Sequence, residues 1–266
     1  MTAAFPRVIA TDLDGTLVRT DGAISARTVA ALNAVEDAGA LVIFVTGRPP
    51  RWLAPVAAAT GHRGLAICTN GAQVYDLGTE EVVEEYLLGP TVAAEVVRIL
   101  QEALPAATYA VERRSGFAYA PEYRPRWEIP SDSLRAAIDL LVAEPAAKLL
   151  VRHDDLDADA LLVATRDVVG HLAELTHSSL DGLVEISASG VSKATTLEIL
   201  CAERGIGAAN VLAFGDMPND LPLLAWAGRG VAVANAHPSV LAAVTEHTDS
   251  NDDDGVAVVL ERLLAG

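Results

Sequence analysis

The sequence predicts an α/β protein, with a parallel-sheet core that is interrupted by an inserted α+β unit. Short apolar runs alternate with helical patterns over about the first 75 residues, and this alternation returns after about residue 187. Runs that are apolar on both faces and separated by helices are typical of a parallel sheet covered on both sides. Between these regions, strand patterns follow one another without a helix, which indicates antiparallel pairing.

The elements of the core follow from its apolar runs and from serine and glycine signals at helix ends. Strands are predicted at 8–11, 41–45, 65–68, 211–214 and 231–233. Helices are predicted from Ser25 to Gly39, at 52–59, from Ser192 to Arg204 and at 256–264. The core therefore comprises residues 1–81 and 187–266.

The inserted unit occupies residues 82–186 in this interpretation. It begins with a helix at 91–104 and two strands at 108–111 and 117–120. A helix at 134–143, a strand at 148–152 and a helix at 158–169 follow, and strands at 173–176 and 182–186 end it. Such a unit has the size and composition of a separate domain.

Composition excludes several classes of partner. The chain has 266 residues, with 19 basic and 36 acidic residues and a formal net charge of −17. Nucleic acids and anionic membranes attract basic surfaces, so we expect neither as a partner. No apolar run approaches the roughly 18 residues of a membrane-spanning helix, and early charged residues interrupt any signal-peptide core. Two cysteines beside apolar residues argue against a disulfide framework, and we expect a cytoplasmic protein.

Four short motifs fall at ends of predicted core strands or at the start of a core helix, where open α/β sheets bind their ligands. Motif I is Asp12-Leu13-Asp14-Gly15-Thr16, and motif II is Thr46-Gly47-Arg48. Motif III is Lys193, directly after the cap Ser192, and motif IV is Gly215-Asp216-Met217-Pro218-Asn219-Asp220. A lysine at a helix N-terminus adds its charge to a helix dipole that already favours anions.

Motif I is electrostatically unfavourable by itself. Two carboxylates that lie two residues apart repel each other, and each raises the pKa of the other unless a cation lies between them. The pattern therefore predicts a divalent metal and a phosphate, with one carboxylate attacking phosphorus and the other moving a proton. Taken singly, each motif could be a turn, a loop or a solvated lysine. Their combination and order favour a phosphoryl-transfer site.

These motifs resemble the haloacid dehalogenase superfamily, and specifically its Cof-type, subclass IIB members, which are similar to sugar phosphatases. Motifs I to IV match at Asp12 and Asp14, at Thr46, at Lys193, and at Asp216 and Asp220. The insertion matches the C2-type α/β cap of the family in size, position and element order. The resemblance thus implies a Rossmann-like core, and a cap that selects the substrate.

The resemblance also implies roles for individual residues. Asp12 would form an aspartyl-phosphate, and Asp14 would act as general acid and base. Mg²⁺ would bind Asp12, the backbone carbonyl of Asp14, and Asp216. Asp220 would orient Lys193 or a metal-bound water.

A second set of residues is expected to hold the phosphoryl group or the rest of the substrate. It consists of Thr46, Gly47, Arg48, Asn70, Lys193 and Asn219. The expected reaction is Mg²⁺-dependent hydrolysis of small phosphorylated metabolites, with sugar phosphates as the first class to consider. The expected partner is therefore a small phosphate ester.

Two other functions remain open from the sequence. A phosphosugar mutase of the same superfamily would use the same aspartyl-phosphate but return the phosphoryl group to the sugar. A non-catalytic nucleotide-binding module is disfavoured, because Asp-x-Asp-Gly-Thr stands where Gly-x-Gly-x-x-Gly would follow the first strand.

Two weaker signals have a structural and a functional interpretation each. Basic residues of the insertion could read a substrate, or they could be solvated or paired with Glu112, Glu122 and Glu128, and we favour the structural interpretation. These residues are Arg113, Arg114, Arg124, Arg126, Lys148 and Arg152. The acidic run at 251–254 could reach the metal site through Asn251 or Asp252. We favour a capping role for Asp254 at the last helix.

Overall fold

The computed structural model describes residues 5–125 and 127–266. They form two units, one that comprises the chain up to Glu84 together with Ser192–Gly266, and one that comprises Glu85–Val191. We number strands and helices in chain order through both units. Arg126, one of the basic residues of the insertion, lies outside the described residues.

The described strands are β1 (Val8–Thr11), β2 (Leu41–Val45), β3 (Leu65–Cys68), β4 (Gln73–Asp76), β5 (Glu81–Glu85), β6 (Thr108–Arg113), β7 (Gly116–Tyr119), β8 (Leu134–Arg135), β9 (Lys148–Arg152), β10 (Ala173–Thr176), β11 (Leu183–Ala188), β12 (Val211–Gly215), β13 (Arg229–Val233) and β14 (Glu246–Thr248). The described α-helices are α1 (Ala26–Asp37), α2 (Ala54–Thr60), α3 (Pro90–Ala103), α4 (Ile138–Leu141), α5 (Ala158–Val169), α6 (Lys193–Glu203), α7 (Leu221–Trp226), α8 (Pro238–Ala243) and α9 (Gly255–Ala265). This mixture of parallel sheet and helices confirms the predicted α/β fold class.

The first unit is organised around β1. Within the described ranges its sheet has the order β14-β13-β12-β1-β2-β3-β4-β5. β1 pairs in parallel with β12 on one side and β2 on the other, so that Thr11 lies beside both Phe214 and Phe44. The apolar side chains of β1 are fully buried, which stabilises the sheet centre. Motifs I, II and IV therefore leave three adjacent strands at the same edge of the sheet.

The helices of this unit begin where the sequence predicts. Ser25 caps α1 by accepting from the backbone N–H of Thr28. Ser192 caps α6 and forms a reciprocal capping box with Thr195, which satisfies two helix-terminal donors. The capping box places Lys193 in the first position of its helix. β4, β5 and β14 and the short helices α7 and α8 were not predicted.

The second unit has its own sheet, with the order β10-β11-β9-β6-β7-β8 among the described residues. The pairs β10–β11, β11–β9, β9–β6 and β6–β7 are antiparallel, as the sequence predicts. α3 and α5 contribute apolar side chains to the same buried cluster as β6, β9 and β11. This unit therefore has a hydrophobic core of its own.

The predicted helix at 134–143 is wrong over most of its length. Leu134 and Arg135 form β8, which pairs in parallel with Ala118 and Tyr119 of β7, and α4 spans only Ile138–Leu141. The leucines that produced the helical pattern do not share a buried face, since Leu134 and Leu140 are exposed. Backbone pairing with an edge strand therefore prevails over helix propensity here.

Among the described residues, no helix is both long enough and apolar enough to cross a membrane.

Candidate active site

Motif I forms a tight turn directly after β1. Asp12 is 4% exposed, whereas the side chain of Asp14 is 59% exposed. Gly15 has φ +74°, and a Cβ there would lie 2.4 Å from Oδ2 of Asp216. Only glycine therefore permits this approach, because both the positive φ and the close contact exclude a side chain. Thr16 completes the turn by donating its hydroxyl to Oδ1 of Asp216 at 2.9 Å.

Lys193 lies between two carboxylates. Its Nζ is 2.6 Å from Oδ1 of Asp220 and 3.0 Å from Oδ1 of Asp12, and the residue is 1% exposed. Burial lowers the pKa of Lys193, but Asp12 and Asp220 outweigh it and raise the pKa above its usual range. Lys193 is therefore held as an ammonium ion.

Asp220 is fixed on both of its oxygens. Oδ2 accepts the backbone N–H groups of Asp216 and Met217, each at 3.0 Å, while Oδ1 accepts from Lys193. Gly215 makes room for this, since a Cβ there would lie 2.5 Å from the Cβ of Asp220. Asp220 therefore joins motif III to motif IV.

Three carboxylates of motifs I and IV converge: Asp12, Asp216 and Asp220 each offer an oxygen within 4.8 Å of the others. Burial, followed by the charge of Asp220, raises the pKa of Asp12 well above its usual range. The same two causes raise the pKa of Asp216 to about 7. At an effective dielectric near 20, two like charges 4 Å apart cost about 4 kcal/mol. One lysine carries too little charge to neutralise three carboxylates, and their oxygens lie close enough together that they could hold a cation.

Motif II lies beside motif I, after β2. Thr46 is fully buried, and its hydroxyl accepts from the backbone N–H of Arg48 at 3.0 Å. The Arg48 guanidinium donates to Asp14 through both Nε, at 2.8 Å, and Nη2, at 2.5 Å. This two-pronged pair fixes the orientation of the exposed Asp14 carboxylate. The sequence placed Arg48 on the substrate and did not anticipate this contact.

The segment after β3 has a strained backbone. Thr69 and Asn70 are buried and have φ values of +51° and +58°. These values lie in the left-handed region, where a residue other than glycine has a backbone strain of about 1–3 kcal/mol. Backbone N–H groups of both residues bind motif II, Thr69 to the Arg48 carbonyl and Asn70 to the Thr46 carbonyl. The strain is therefore tied to the loop that carries Thr46.

Asn219 of motif IV reaches the same segment. Its Nδ2 donates to Oδ1 of Asn70 at 3.0 Å. Its own Oδ1 is buried without a hydrogen-bond partner among the described residues, which is uncommon for a buried polar atom. The structure thus brings Thr46, Asn70 and Asn219 together, with an acceptor left over for a ligand or a water.

Two asparagines near the C-terminus contact the motif I turn and were missed or only weakly anticipated. Asn235 donates Nδ2 to the Gly15 carbonyl at 2.7 Å, and Asn251 donates Nδ2 to the Val18 carbonyl at 2.9 Å. No local pattern marks Asn235, which stands between two alanines. The only sequence signal was the acidic run that begins beside Asn251.

The acidic run does not cap the last helix as expected. Asp254 stands at the N-cap position of α9 but makes no side-chain cap hydrogen bond. Its Oδ1 instead accepts from the Arg19 guanidinium, at 2.7 Å from Nη2. Asp252 binds the backbone N–H and the hydroxyl of Thr20, each at 2.8 Å. The run therefore holds the segment that follows motif I.

In the second unit, five of the predicted basic residues have acidic or carbonyl partners, and one of them is Arg124, which donates to the Pro121 carbonyl at 2.7 Å. Arg114 pairs with Glu85, and Lys148 pairs with Glu185. Arg113 lies 3.4 Å from Glu144, and Arg152 donates to the Asp181 carbonyl at 2.7 Å. Pairing with a carboxylate or a carbonyl is thus observed for these residues, and the carboxylates in the ion pairs are Glu144, Glu85 and Glu185.

Comparison with known proteins supports the same interpretation of the chain. A family model described as haloacid dehalogenase-like hydrolase matches residues 9–260. A pyridoxal phosphate phosphatase of Escherichia coli (strain K12), YbhA, is 30% identical over 94% of this chain and 96% of its own length. An HMP-PP phosphatase of Enterobacter sp. (strain 638) is 28% identical, over 89% of this chain and 87% of its own length.

Solved structures share the fold at lower identity. The structure of a subclass IIB sugar phosphatase of this superfamily matches with a TM-score of 0.81 and 18% identity. The match covers 96% of this chain and 98% of the other. The likeness therefore extends through both units of the chain.

Proposed function

The chain belongs to the haloacid dehalogenase-like hydrolase family and is a phosphoric monoester hydrolase, and we propose that it uses Mg²⁺ and an aspartyl-phosphate intermediate. The family and the enzyme class agree with the sequence motifs. One observation supports the mechanism above all others. Lys193 binds Asp12 and Asp220 at once, beside a third buried carboxylate, Asp216, in a cluster that retains excess negative charge.

The residues present fit a hard divalent cation. The cluster offers carboxylate oxygens, which Mg²⁺ prefers over nitrogen or sulfur ligands. Burial and Asp220 raise the pKa of Asp216 to about 7, so a cation beside these carboxylates would favour their ionised forms. Asp12, Asp216 and the backbone carbonyl of Asp14 would hold Mg²⁺. When bound, the metal would neutralise the carboxylates and the phosphoryl oxygens.

Asp12 would be the nucleophile. An oxygen of its carboxylate bonds to phosphorus while the bond from phosphorus to the ester oxygen breaks, and the electron pair leaves with that oxygen. Lys193, 3.0 Å from Oδ1 of Asp12, would orient this carboxylate and stabilise the charge of the phosphoryl oxygens. Thr46 and Asn219 would donate hydrogen bonds to those oxygens.

Asp14 would move the proton. In the first step it gives a proton to the departing ester oxygen. In the second step it takes a proton from the water that bonds to phosphorus, while the bond from phosphorus to the Asp12 oxygen breaks, so that inorganic phosphate leaves and the Asp12 carboxylate is restored. Both of its oxygens now accept from Arg48. A protonated Asp14 needs one oxygen for its own proton, so Arg48 would release one hydrogen bond as Asp14 becomes an acid.

The substrate would be a small phosphorylated metabolite, with sugar phosphates the first class to test. Relatives that span nearly the whole chain are a pyridoxal phosphate phosphatase and an HMP-PP phosphatase, and a sugar phosphatase shares the fold. The second unit, Glu85–Val191, would act as the specificity cap. A cytoplasmic location stays a prediction from composition.

The first experiment measures hydrolysis of p-nitrophenyl phosphate with Mg²⁺ and with EDTA. We expect turnover with Mg²⁺, an early burst of one p-nitrophenol per active site if hydrolysis of the intermediate is the slow step, and loss of activity in EDTA. Asp12→Asn should lower kcat by more than about 1000-fold, as removal of a nucleophile does elsewhere. The matched control is Asp37→Asn on the exposed end of α1, which should retain the wild-type rate.

Two results would change the proposal. Wild-type rates in Asp12→Asn would end the covalent mechanism. Activity on a sugar monophosphate that requires a sugar bisphosphate activator, and that releases no inorganic phosphate, would identify a mutase instead.

A further inference from the structure

We propose that Asn235 is a positioning residue of the active site, which holds the turn of motif I in place through the Gly15 carbonyl. This inference rests on the proposed phosphatase function. Asn235 is exposed, stands in the loop after β13 and belongs to none of the four motifs. Its amide is nevertheless engaged at both ends by backbone groups of two other segments.

The first contact is with motif I. Nδ2 of Asn235 donates to the carbonyl of Gly15 at 2.7 Å. The backbone at Gly15 is closely packed, because its Cα faces the Asp216 carboxylate, and its φ is +74°. With one side of Gly15 against Asp216 and its carbonyl held by Asn235, the peptide between Gly15 and Thr16 is held in place. Gly15 joins this peptide directly to the one that carries the Asp14 carbonyl, so the contact limits how far the Asp14 backbone can move.

The second contact is with the loop after β14. The backbone N–H of Asn251 donates to Oδ1 of Asn235 at 2.9 Å. The side chain of Asn251, which is 5% exposed, in turn donates to the Val18 carbonyl at 2.9 Å. The two asparagines thus bind two carbonyls of the segment that begins with motif I, those of Gly15 and Val18, and we call Asn235 and Asn251 the asparagine bridge.

The segment that carries Asn235 also contacts motif IV. Two residues further on, the backbone N–H of His237 donates to the carbonyl of Asp216 at 2.8 Å. Sheet order explains this reach: β13 lies beside β12, and β12 lies beside β1. A loop that leaves β13 therefore crosses the end of β12 before it meets motif I. One short loop consequently fixes the relative position of the Asp14 and Asp216 segments, which together supply proposed metal ligands.

Few side chains can make both contacts. Asparagine places one donor and one acceptor on a short, planar group. Aspartate would keep the acceptor for Asn251 but would set a carboxylate oxygen against the Gly15 carbonyl, and alanine would lose both contacts. Partners of metal-binding segments typically change metal affinity or activity by about 10–100-fold when removed, although an exposed hydrogen bond adds little to stability.

The test compares Asn235→Ala and Asn235→Asp with wild type in four measurements. These are kcat and KM for p-nitrophenyl phosphate, the Mg²⁺ concentration for half activation, the rise in Tm caused by Mg²⁺, and amide hydrogen exchange. In both variants we expect kcat to fall and half-activating Mg²⁺ to rise by about 10-fold. KM should stay within about twofold, and Tm without metal within about 4 °C of wild type.

Hydrogen exchange locates the effect. The N–H groups of Leu17 and Val18 donate to the Leu13 carbonyl at 3.0 and 2.8 Å within the motif I turn. Their exchange should accelerate in both variants while that of β1 and β12 does not. The matched control is Arg27→Ala, which removes an exposed two-pronged contact to Glu261 in the same unit. It should lower Tm and leave kcat, the Mg²⁺ requirement and exchange at 17 and 18 unchanged.

Two outcomes would overturn the proposal, and a third would overturn only the proposed function. Wild-type kcat and Mg²⁺ requirement in either variant would show that the Gly15 contact positions nothing. Exchange that rises throughout the first unit, with a large drop in Tm, would make the role purely structural. If wild type itself fails to hydrolyse p-nitrophenyl phosphate, the proposed function fails, while exchange at Leu17 and Val18 still tests the bridge.

Discussion

Each of the two units buries charged side chains, but in different proportions. In the first unit, Asp12, Asp216 and Asp220 share the single ammonium of Lys193, and all four residues are at most 6% exposed. In the second unit, Lys148 pairs with Glu185 and both are likewise buried, in a unit that also buries Glu112, Arg113 and Arg152. The Ser178 hydroxyl donates to the second oxygen of Glu185 at 2.6 Å.

This difference in buried charge distinguishes a candidate active site from a pair that contributes to the fold. A buried pair of opposite charges carries no net charge, and it contributes to a single arrangement of the strands that carry it. An excess of buried carboxylate is unfavourable until a cation neutralises it, and such sites are typical of active centres. The excess of carboxylates contributes to the raised pKa of Asp216, which burial and the charge of Asp220 cause.

The largest effect is expected at the lysine of the unbalanced cluster. Lys193→Met removes the one ammonium that contacts Asp12 and Asp220, so the phosphoryl group meets carboxylates without that cation. We expect kcat for p-nitrophenyl phosphate to fall by at least about 100–1000-fold at saturating Mg²⁺. Steady-state kinetics test this, with circular dichroism to confirm folding. A folded variant with near-normal kcat would contradict the comparison.

A matched change in the balanced pair should act on stability. Lys148→Met leaves the buried Glu185 carboxylate without its ammonium partner, which is expected to lower the free energy of unfolding by about 3–5 kcal/mol. The double variant Lys148→Met, Glu185→Gln should recover most of this loss, because no net charge then remains from the pair. Urea unfolding followed by circular dichroism measures both. A double variant as unstable as the single one would show that the pair is not self-contained.

The smallest expected effect is a gain in the stability of the metal-free protein, whereas Lys148→Met is expected to lower stability. The pKa of Asp216 is about 7 in the folded protein, because of burial and Asp220, against 3.8 for an ordinary aspartate. The folded state therefore binds more protons between these values, and the free energy of unfolding without metal falls as pH rises from about 4 to 7. Asp216→Asn should reduce this slope, to which the raised pKa of Asp12 also contributes through burial and Asp220, and should stabilise the metal-free protein at pH 8 by about 1–2 kcal/mol.

Urea unfolding in EDTA at several pH values measures this slope, with Asp37→Asn as the control for loss of an exposed charge. Equal or lower stability of Asp216→Asn at pH 8 would show that the carboxylate excess is not costly in the folded state. The same variant should lose Mg²⁺-dependent activity.

Sequence reasoning predicted the elements whose signals are local. The core strands β1, β2 and β12 are apolar runs. Ser192 is a typical N-cap residue and marks the start of α6, where the structure shows a capping box. Local sequence patterns gave a wrong prediction where pairing between distant strands determines the structure. Leu134 lies in a helical pattern of residues but forms an edge strand, since the backbone of β7 offers partners that the pattern does not reveal.

The sequence by itself determined which carboxylates, hydroxyls and lysine leave the core elements, and hence the family and the class of reaction. Only the tertiary structure decided their partners: Arg48 on Asp14, Lys193 between Asp12 and Asp220, and Asn235 on Gly15, 220 residues away. The physical reason is the distance along the chain over which each kind of interaction acts. Periodicity and caps act over a few residues, whereas these contacts depend on the order in which parallel strands lie side by side.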